Sequence, residues 1–234
     1  MISTDQLADV FVDVADTLVD DFDIVDFLHR LTDHAAAVSG AEAVGLLLAD
    51  SRGQLRFMAA SNETGKVLEL FQLQNDEGPC MDCFATQQPV VNTDLATAGD
   101  RWPRFAPAAR SAGFQSVHAF PMRLRDQTIG ALNIFGKSDS FFQDDEVRIV
   151  QALADIATIG LLQERALAHA EALTEQLEGA LNSRIIIEQA KGALAQLERT
   201  TPTDAFDMMR KRARADRRRL VDVAHEVISG VQPS

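Results

Sequence analysis

The sequence predicts an α+β protein. An antiparallel sheet flanked by helices comes first, and a long helix then leads into a C-terminal unit of three helices. Three observations predict this. After residue 40 the helical period gives way to short apolar runs bounded by turn formers, the mark of paired strands. No proline occurs between Pro121 and Pro202, and the chain from Phe142 onward keeps a helical texture. Charge is divided unevenly. Residues 181–234 hold ten Lys and Arg against seven Asp and Glu, a balance of +3, while the other 180 residues stand at -16.

Taken in order, residues 3–18 carry Leu7, Val10, Phe11, Val14 and Leu18 at helical spacing. A second helical run covers Ile24 to Val38, with Gly40 as its stop. Residues 43–49 form an apolar run closed by Asp50-Ser51-Arg52-Gly53, and Gln54 to Ala60 returns as the second strand of a hairpin. Residues 116–124 and 128–135 read as a second hairpin around Arg125-Asp126-Gln127. Some 55 residues separate the hairpins, a span that calls for short helices and a binding loop.

Residues 143–197 read as one very long helix, or two joined end to end. Leu153, Gly160 and Leu167 stand seven apart, and Leu173, Leu177 and Leu181 continue the stripe. Such a stripe needs cover. A two-stranded coiled coil between two copies of the chain supplies it, and packing back on the first domain is the other solution. Pro202 sits in the first turn of the next helix, with Thr200 or Thr201 as cap, and Ala205, Phe206, Met209 and Ala213 share one face. The last helix shows Leu220, Ala224, Val227 and Ile228.

Arg217, Arg218 and Arg219 read as the first turn of that last helix, with Asp216 as its N-cap. A helix N-terminus favours acidic residues, so three cations there break a local rule. Such breaks tend to lie at functional sites. From Arg199 to Arg219 there are eight basic residues against three acidic ones. In an otherwise acidic chain this points to focused anion binding.

Residues 183–194, Ser-Arg-Ile-Ile-Ile-Glu-Gln-Ala-Lys-Gly-Ala-Leu, are followed by Asp204-Ala205-Phe206 and by Leu220-Val221-Asp222-Val223-Ala224. Over about residues 177–231 this resembles the ANTAR domain, a three-helix RNA-binding output module of bacterial transcription antiterminators. Gly78-Pro79-Cys80, Trp102-Pro103 and Ile129-Gly130-Ala131-Leu132-Asn133 resemble a GAF domain over about residues 22–165. That is a small-ligand sensor fold with a central antiparallel sheet. The combination is similar to the GAF–ANTAR antitermination regulators of high-GC Gram-positive bacteria. It implies a sensor over residues 1–165, a linking coiled-coil helix over 143–181 and an RNA-binding domain over 177–231.

The expected partners are RNA hairpins, a second copy of the chain, and a small-molecule or protein signal at the sensor. Arginine suits hairpin recognition because its planar guanidinium both stacks on bases and forks onto phosphate. Lys191, Arg210, Arg214, Arg217 and Arg218 are the expected RNA contacts. Gly192 costs about 1 kcal/mol in a helix relative to Ala, which suggests that Ala190 and Gly192 admit a close neighbour. Cys80, Phe84, Trp102, His118 and Phe120 are candidates for a ligand pocket, or equally for a filled core.

No catalytic residue, metal site or cofactor is expected. A lone C-x-x-C at Cys80 and Cys83 lacks the further ligands zinc requires. With no basic-then-apolar leader and no apolar run of membrane length, a soluble cytoplasmic protein is expected. Two other readings stay open. One is a DNA-binding regulator with a helix-turn-helix near Ala213-Arg214-Ala215-Asp216. The other is a GAF-fold redox enzyme that reduces oxidised methionine with Cys80 and Cys83.

Overall fold

A computed structural model of the chain describes residues 4–16, 23–137 and 142–231. The chain divides into two compact units, Met1–Glu164 and Arg165–Ser234. The first opens with α1 (Thr4–Asp16) and α2 (Ile24–Ser39). Ser3 and Leu18, expected at the ends of the first helix, lie outside the described residues. Asp23 caps α2, its side chain accepting from the N–H of Val25 at 2.8 Å and of Asp26 at 3.2 Å.

Five strands follow in one antiparallel sheet: β1 (Ala43–Ala49), β2 (Leu55–Ala60), β3 (Val90–Asp94), β4 (Ser116–Leu124) and β5 (Gln127–Gly136). Their spatial order is β2-β1-β5-β4-β3. The second hairpin turn is one residue tighter than expected. Gln127 pairs with Leu124, which leaves Arg125 and Asp126 to turn the chain. Between the hairpins lie α3 (Glu63–Asn75), α4 (Pro79–Thr86), β3, a short 3-10 turn at Ala98–Asp100 and α5 (Phe105–Ser111). The sequence reading gave no strand here. β3 is a five-residue edge strand whose register shifts between Val90 and Thr93, with Asn92 left-handed at φ 54°. The bulge erases the alternation by which a strand is recognised.

Alternating strand residues build two cores. Val44, Leu46, Phe120, Met122, Leu132 and Ile134 face α1, α2 and the start of the next helix. Leu47, Val117, Ala119, Ala131 and Phe135 face α3, α4 and α5. The next helix, α6 (Asp144–Leu197), is continuous over 54 residues. Asp144, Asp145 and Glu146 fill its first turn, where the helix dipole favours negative charge. Val150, Leu153, Ala154, Ala157 and Leu161 join the first core. Burying a side chain the size of Leu contributes roughly 1.5–3 kcal/mol, so this stretch is firmly anchored on its own domain. Beyond it the stripe changes character. Leu167, Leu173, Leu177, Leu181 and Ile185 are each between 49% and 61% exposed.

The second unit joins the end of α6 to α7 (Pro202–Ala215) and α8 (Leu220–Val231). Ala190, Met209, Ala213, Val223 and Ala224 form its buried core, flanked by Ile186, Leu194, Phe206, Leu220, Val227 and Ile228. Thr201 caps α7 by accepting from the Asp204 N–H at 3.2 Å.

Candidate nucleic-acid interface

The arginine run does not open the last helix. Asp216 is the C-cap of α7, α8 begins only at Leu220, and Arg217–Arg219 form the turn between them. Arg217 is left-handed at φ 52°. The Arg218 N–H donates to the Ala213 carbonyl at 2.9 Å and the Arg217 N–H to the Arg214 carbonyl at 3.3 Å. That pair of bonds is the Schellman termination of α7. The cations therefore follow a helix C-terminus, where the dipole favours them. The acidic residue in the first turn of α8 is Asp222. The expected rule break does not exist, because Asp216 suits a C-cap here as well as it suits an N-cap.

The basic side chains fall into two groups. Arg212 donates to Glu226 at 3.1 Å, and Arg218 pairs with the other oxygen of the same carboxylate. Arg219 forks onto Asp222 at 3.0 and 3.2 Å, which holds that carboxyl below its ordinary range. Lys191 pairs with Glu188 one turn earlier on α6. In contrast, Arg210, Lys211, Arg214 and Arg217 are exposed, and their side chains have no hydrogen bond or ion pair among the described residues. Arg210 and Arg214 are four residues apart on α7, so they share one face. Three of the five expected contacts, Arg210, Arg214 and Arg217, are thus unengaged, while Lys191 and Arg218 are held by carboxylates. Ala190 is buried against α7 and α8 as expected, but Gly192 is exposed and a Cβ there would meet nothing within 4 Å. Among the described residues, therefore, nothing approaches Gly192 closely.

The five candidate pocket residues do not share a pocket. Cys80 and Trp102 belong to the core under α3–α5, with half-buried Phe84 beside them, and Phe120 belongs to the opposite core. The sheet lies between. His118 points to the Phe120 side and stacks on Phe142, ring centroids 4.0 Å apart. Phe84 lines a cleft of about 440 Å³ beside Leu55, Leu73 and Met81, which the other four do not line.

What the sequence reading missed is a buried polar network beneath α3. Glu69 and Gln72, one turn apart, are both fully buried. Asn133 Nδ2 on β5 donates to the two Glu69 carboxyl oxygens at 2.7 and 2.8 Å. Gln72 donates to Glu69 at 3.0 Å and accepts the Cys80 backbone N–H at 2.9 Å. Among the described residues no cationic side chain pairs with the carboxyl, and burial pushes its pKa up to about 8. Gly45 makes room for it, since a Cβ there would stand 2.1 Å from Glu69 Oε1. The Gly78-Pro79-Cys80 motif gains a physical reason. Gly78, at φ 140°, lies where a Cβ would overlap Gln72, Pro79 starts α4, and Cys80 docks on Gln72. Similarly, Trp102 and Arg101 both donate to Asp82 of α4, at 3.0 and 2.7 Å.

The GAF domain family matches residues 23–161, and the ANTAR domain family matches residues 175–228. The chain is a GAF–ANTAR protein. ANTAR is an RNA-binding antiterminator domain and GAF a sensory domain, so the architecture is a regulatory one. No curated protein is a significant match to the chain. Solved structures match the GAF half. The GAF domain of a phosphoenolpyruvate-protein phosphotransferase from Acinetobacter is 18% identical, with a TM-score of 0.53, over 72% of this chain and 99% of that one. The corresponding domain from Coxiella burnetii is 15% identical, with a TM-score of 0.55, over 71% and 99%. Free methionine-R-sulfoxide reductase from Neisseria meningitidis is 19% identical, with a TM-score of 0.54, over 71% and 96%. At these identities the likeness is one of fold.

In this GAF–ANTAR protein both cysteines are buried free thiols. Burial raises the pKa of Cys80 and pushes that of Cys83 up to about 12. A reactive cysteine needs accessible thiolate, and this environment suppresses it. Among the described residues no helix is long and apolar enough to cross a membrane.

Proposed function

We propose that this GAF–ANTAR protein binds paired RNA hairpins through the exposed face of α7 and its C-terminal turn, and so prevents a transcription terminator from forming. Arg210, Arg214 and Arg217 make the first contacts. Lys191 and Arg218 join by exchanging Glu188 and Glu226 for phosphate. Two copies pair along the exposed stripe of α6, and a small-molecule or protein signal at the GAF domain sets the state of that helix. The observation that carries the reading is the Arg210–Arg214–Arg217 set, whose side chains have no partner among the described residues, within the ANTAR domain of an acidic chain. Unpaired guanidinium groups at a surface need no desolvation of a protein partner before they meet a phosphate.

The test is a gel-shift titration of the full chain against a two-hairpin RNA and against duplex DNA of matched length, at about 0.15 M salt. Selective RNA binding, with Arg210→Ala weakening it and lowering the slope of log K against log salt by about one, supports the reading. Equal affinity for duplex DNA favours a DNA-binding regulator, and RNA binding indifferent to Arg210 removes α7 from the interface.

A further inference from the structure

Arg199 and Arg217 hold equivalent places in the fold. Each follows a helix, α6 in one case and α7 in the other, and each is left-handed, at φ 51° and 52°. Behind Arg199 the Thr200 N–H donates to the Ala195 carbonyl at 3.0 Å, and behind Arg217 the Arg218 N–H donates to the Ala213 carbonyl at 2.9 Å. Both helices thus share the left-handed residue and the long 6→1 bond of a Schellman end, completed at α7 by the Arg217–Arg214 bond, and both arginines stand at the position that most often holds glycine. An L-residue is disfavoured there because its Cβ crowds the backbone.

Left-handed residues alone decide nothing, since Asp76 and Gln87 end α3 and α4 in the same way. The difference lies in charge and setting. The two ANTAR positions are both arginine. Both are exposed, and neither has a side-chain partner among the described residues. They flank α7, whose own Arg210, Lys211 and Arg214 are equally free. A 14-residue helix rises about 21 Å, so the two mark opposite ends of a basic element. A ligand that meets both must present phosphates at well-separated places, as a folded RNA does and a small anion does not.

We propose that Arg199 belongs to the RNA interface, and that Arg199 and Arg217 occupy glycine positions because their guanidinium groups grip RNA at the two ends of α7. This rests on the RNA-binding reading above and extends it to a residue outside the α7–α8 turn. A cation at a helix C-terminus also gains from the helix dipole, and a purely structural role would stop there.

Full-length Arg199→Lys, Arg199→Gly, Arg217→Lys and Arg217→Gly variants separate the two. The readouts are thermal midpoint and affinity for a pool of two-hairpin RNAs with randomised loops, at several salt concentrations. We expect each glycine variant to unfold a few degrees higher, to bind RNA about tenfold more weakly, and to lose about one unit of salt slope. Each lysine variant keeps charge and slope yet also loses affinity, because an ammonium lacks the fork. Wild-type binding with Arg199→Gly unchanged in affinity overturns the inference alone. Affinity preserved in both lysine variants overturns the grip and leaves only charge. No wild-type binding to the pool overturns the RNA-binding reading and this inference with it.

Discussion

Asn133 donates to both carboxyl oxygens of Glu69, at 2.7 and 2.8 Å, and among the described residues no cationic side chain reaches that carboxyl. Burial outweighs those hydrogen bonds and keeps the carboxyl neutral over much of the range in which an ordinary glutamate is charged. Folded Glu69 titrates at about 8, against 4.5 for the ordinary group, so the folded chain holds a proton that the unfolded chain has released. Its stabilising contribution is complete below pH 4.5 and is lost as pH rises through 8. At pH 7 the loss is on the order of 3 kcal/mol. Glu69→Gln keeps the shape without the charge, and turning over the Asn133 amide offers the new amide an acceptor, because Asn133 Oδ1 is buried without a partner among the described residues. Denaturant titrations from pH 6.5 to 8.5, above the range in which His118 contributes, should show the native chain weakening and Glu69→Gln flat and more stable at the alkaline end. A native profile as flat as the variant's would mean that Glu69 is ionised in the fold.

The first turn of α6 is tied to the edge of the sheet in a way that acid should loosen. Asn92 Oδ1 accepts the Phe142 N–H at 2.7 Å, and Asn92 Nδ2 donates to the Phe142 carbonyl at 3.1 Å. The Asn92 N–H donates to His118 Nδ1 at 3.0 Å, and that ring lies on the ring of Phe142. His118 must be neutral at Nδ1 to accept, and burial lowers its pKa to about 4 from 6.5. Here the unfolded chain binds the extra proton, so stability is full above pH 6.5 and falls as pH drops through 4. Histidine NMR should find this ring neutral down to about pH 4, and titration near 6.5 would contradict the assignment. Asn92→Ala removes two side-chain hydrogen bonds, a loss of about 1–3 kcal/mol, and should speed amide exchange in the first turn of α6.

These two sites mark what the sequence made legible and what it did not. β1 and β4 are recovered to the residue, because each is an apolar run closed by turn formers. α7 is recovered because Pro202 and Thr201 announce its start. The end of α7 is not, because neither glycine nor asparagine stands at Arg217 and Asp216 suits either kind of cap. Glu69 is hidden for another reason. In Val67-Leu68-Glu69-Leu70-Phe71 it looks like an ordinary solvent-facing charge. Its burial depends on Gly45 and on Asn133, 64 residues further along. The pocket candidates do not converge, and Cys80, Trp102 and Phe120 lie in filled cores on opposite faces, because composition cannot say which face of a sheet a side chain takes.

The outer part of α6 makes a separate prediction. Leu173, Leu177, Leu181 and Ile185 recur every four residues on a helix that leaves them open to solvent. An exposed stripe of that length is costly for a lone chain and suits a coiled coil between two copies. Sedimentation equilibrium should find a dimer for the native chain. The double variant Leu177→Glu, Leu181→Glu should be a monomer whose GAF unit unfolds at the native midpoint, because neither residue belongs to its core. A monomeric native chain would remove the coiled coil from the proposed function.

Gly192 offers the last test. It lies inside α6, where glycine is about 1 kcal/mol less favourable than alanine, and an added Cβ would meet nothing within 4 Å. The fold of one chain thus gives no reason to keep it. Gly192→Ala should raise stability by about 0.4–1 kcal/mol, in part by restricting the unfolded chain. If the bare backbone is reserved for close approach by RNA or by a second copy, the same methyl group should weaken that association. Thermal unfolding measured beside RNA affinity and dimer dissociation distinguishes the cases. A gain in stability with both associations intact would make Gly192 a position with no role in binding. A gain in stability with either association weakened would place the neighbour of Gly192 outside the chain, and which association suffers would say whether that neighbour is nucleic acid or protein.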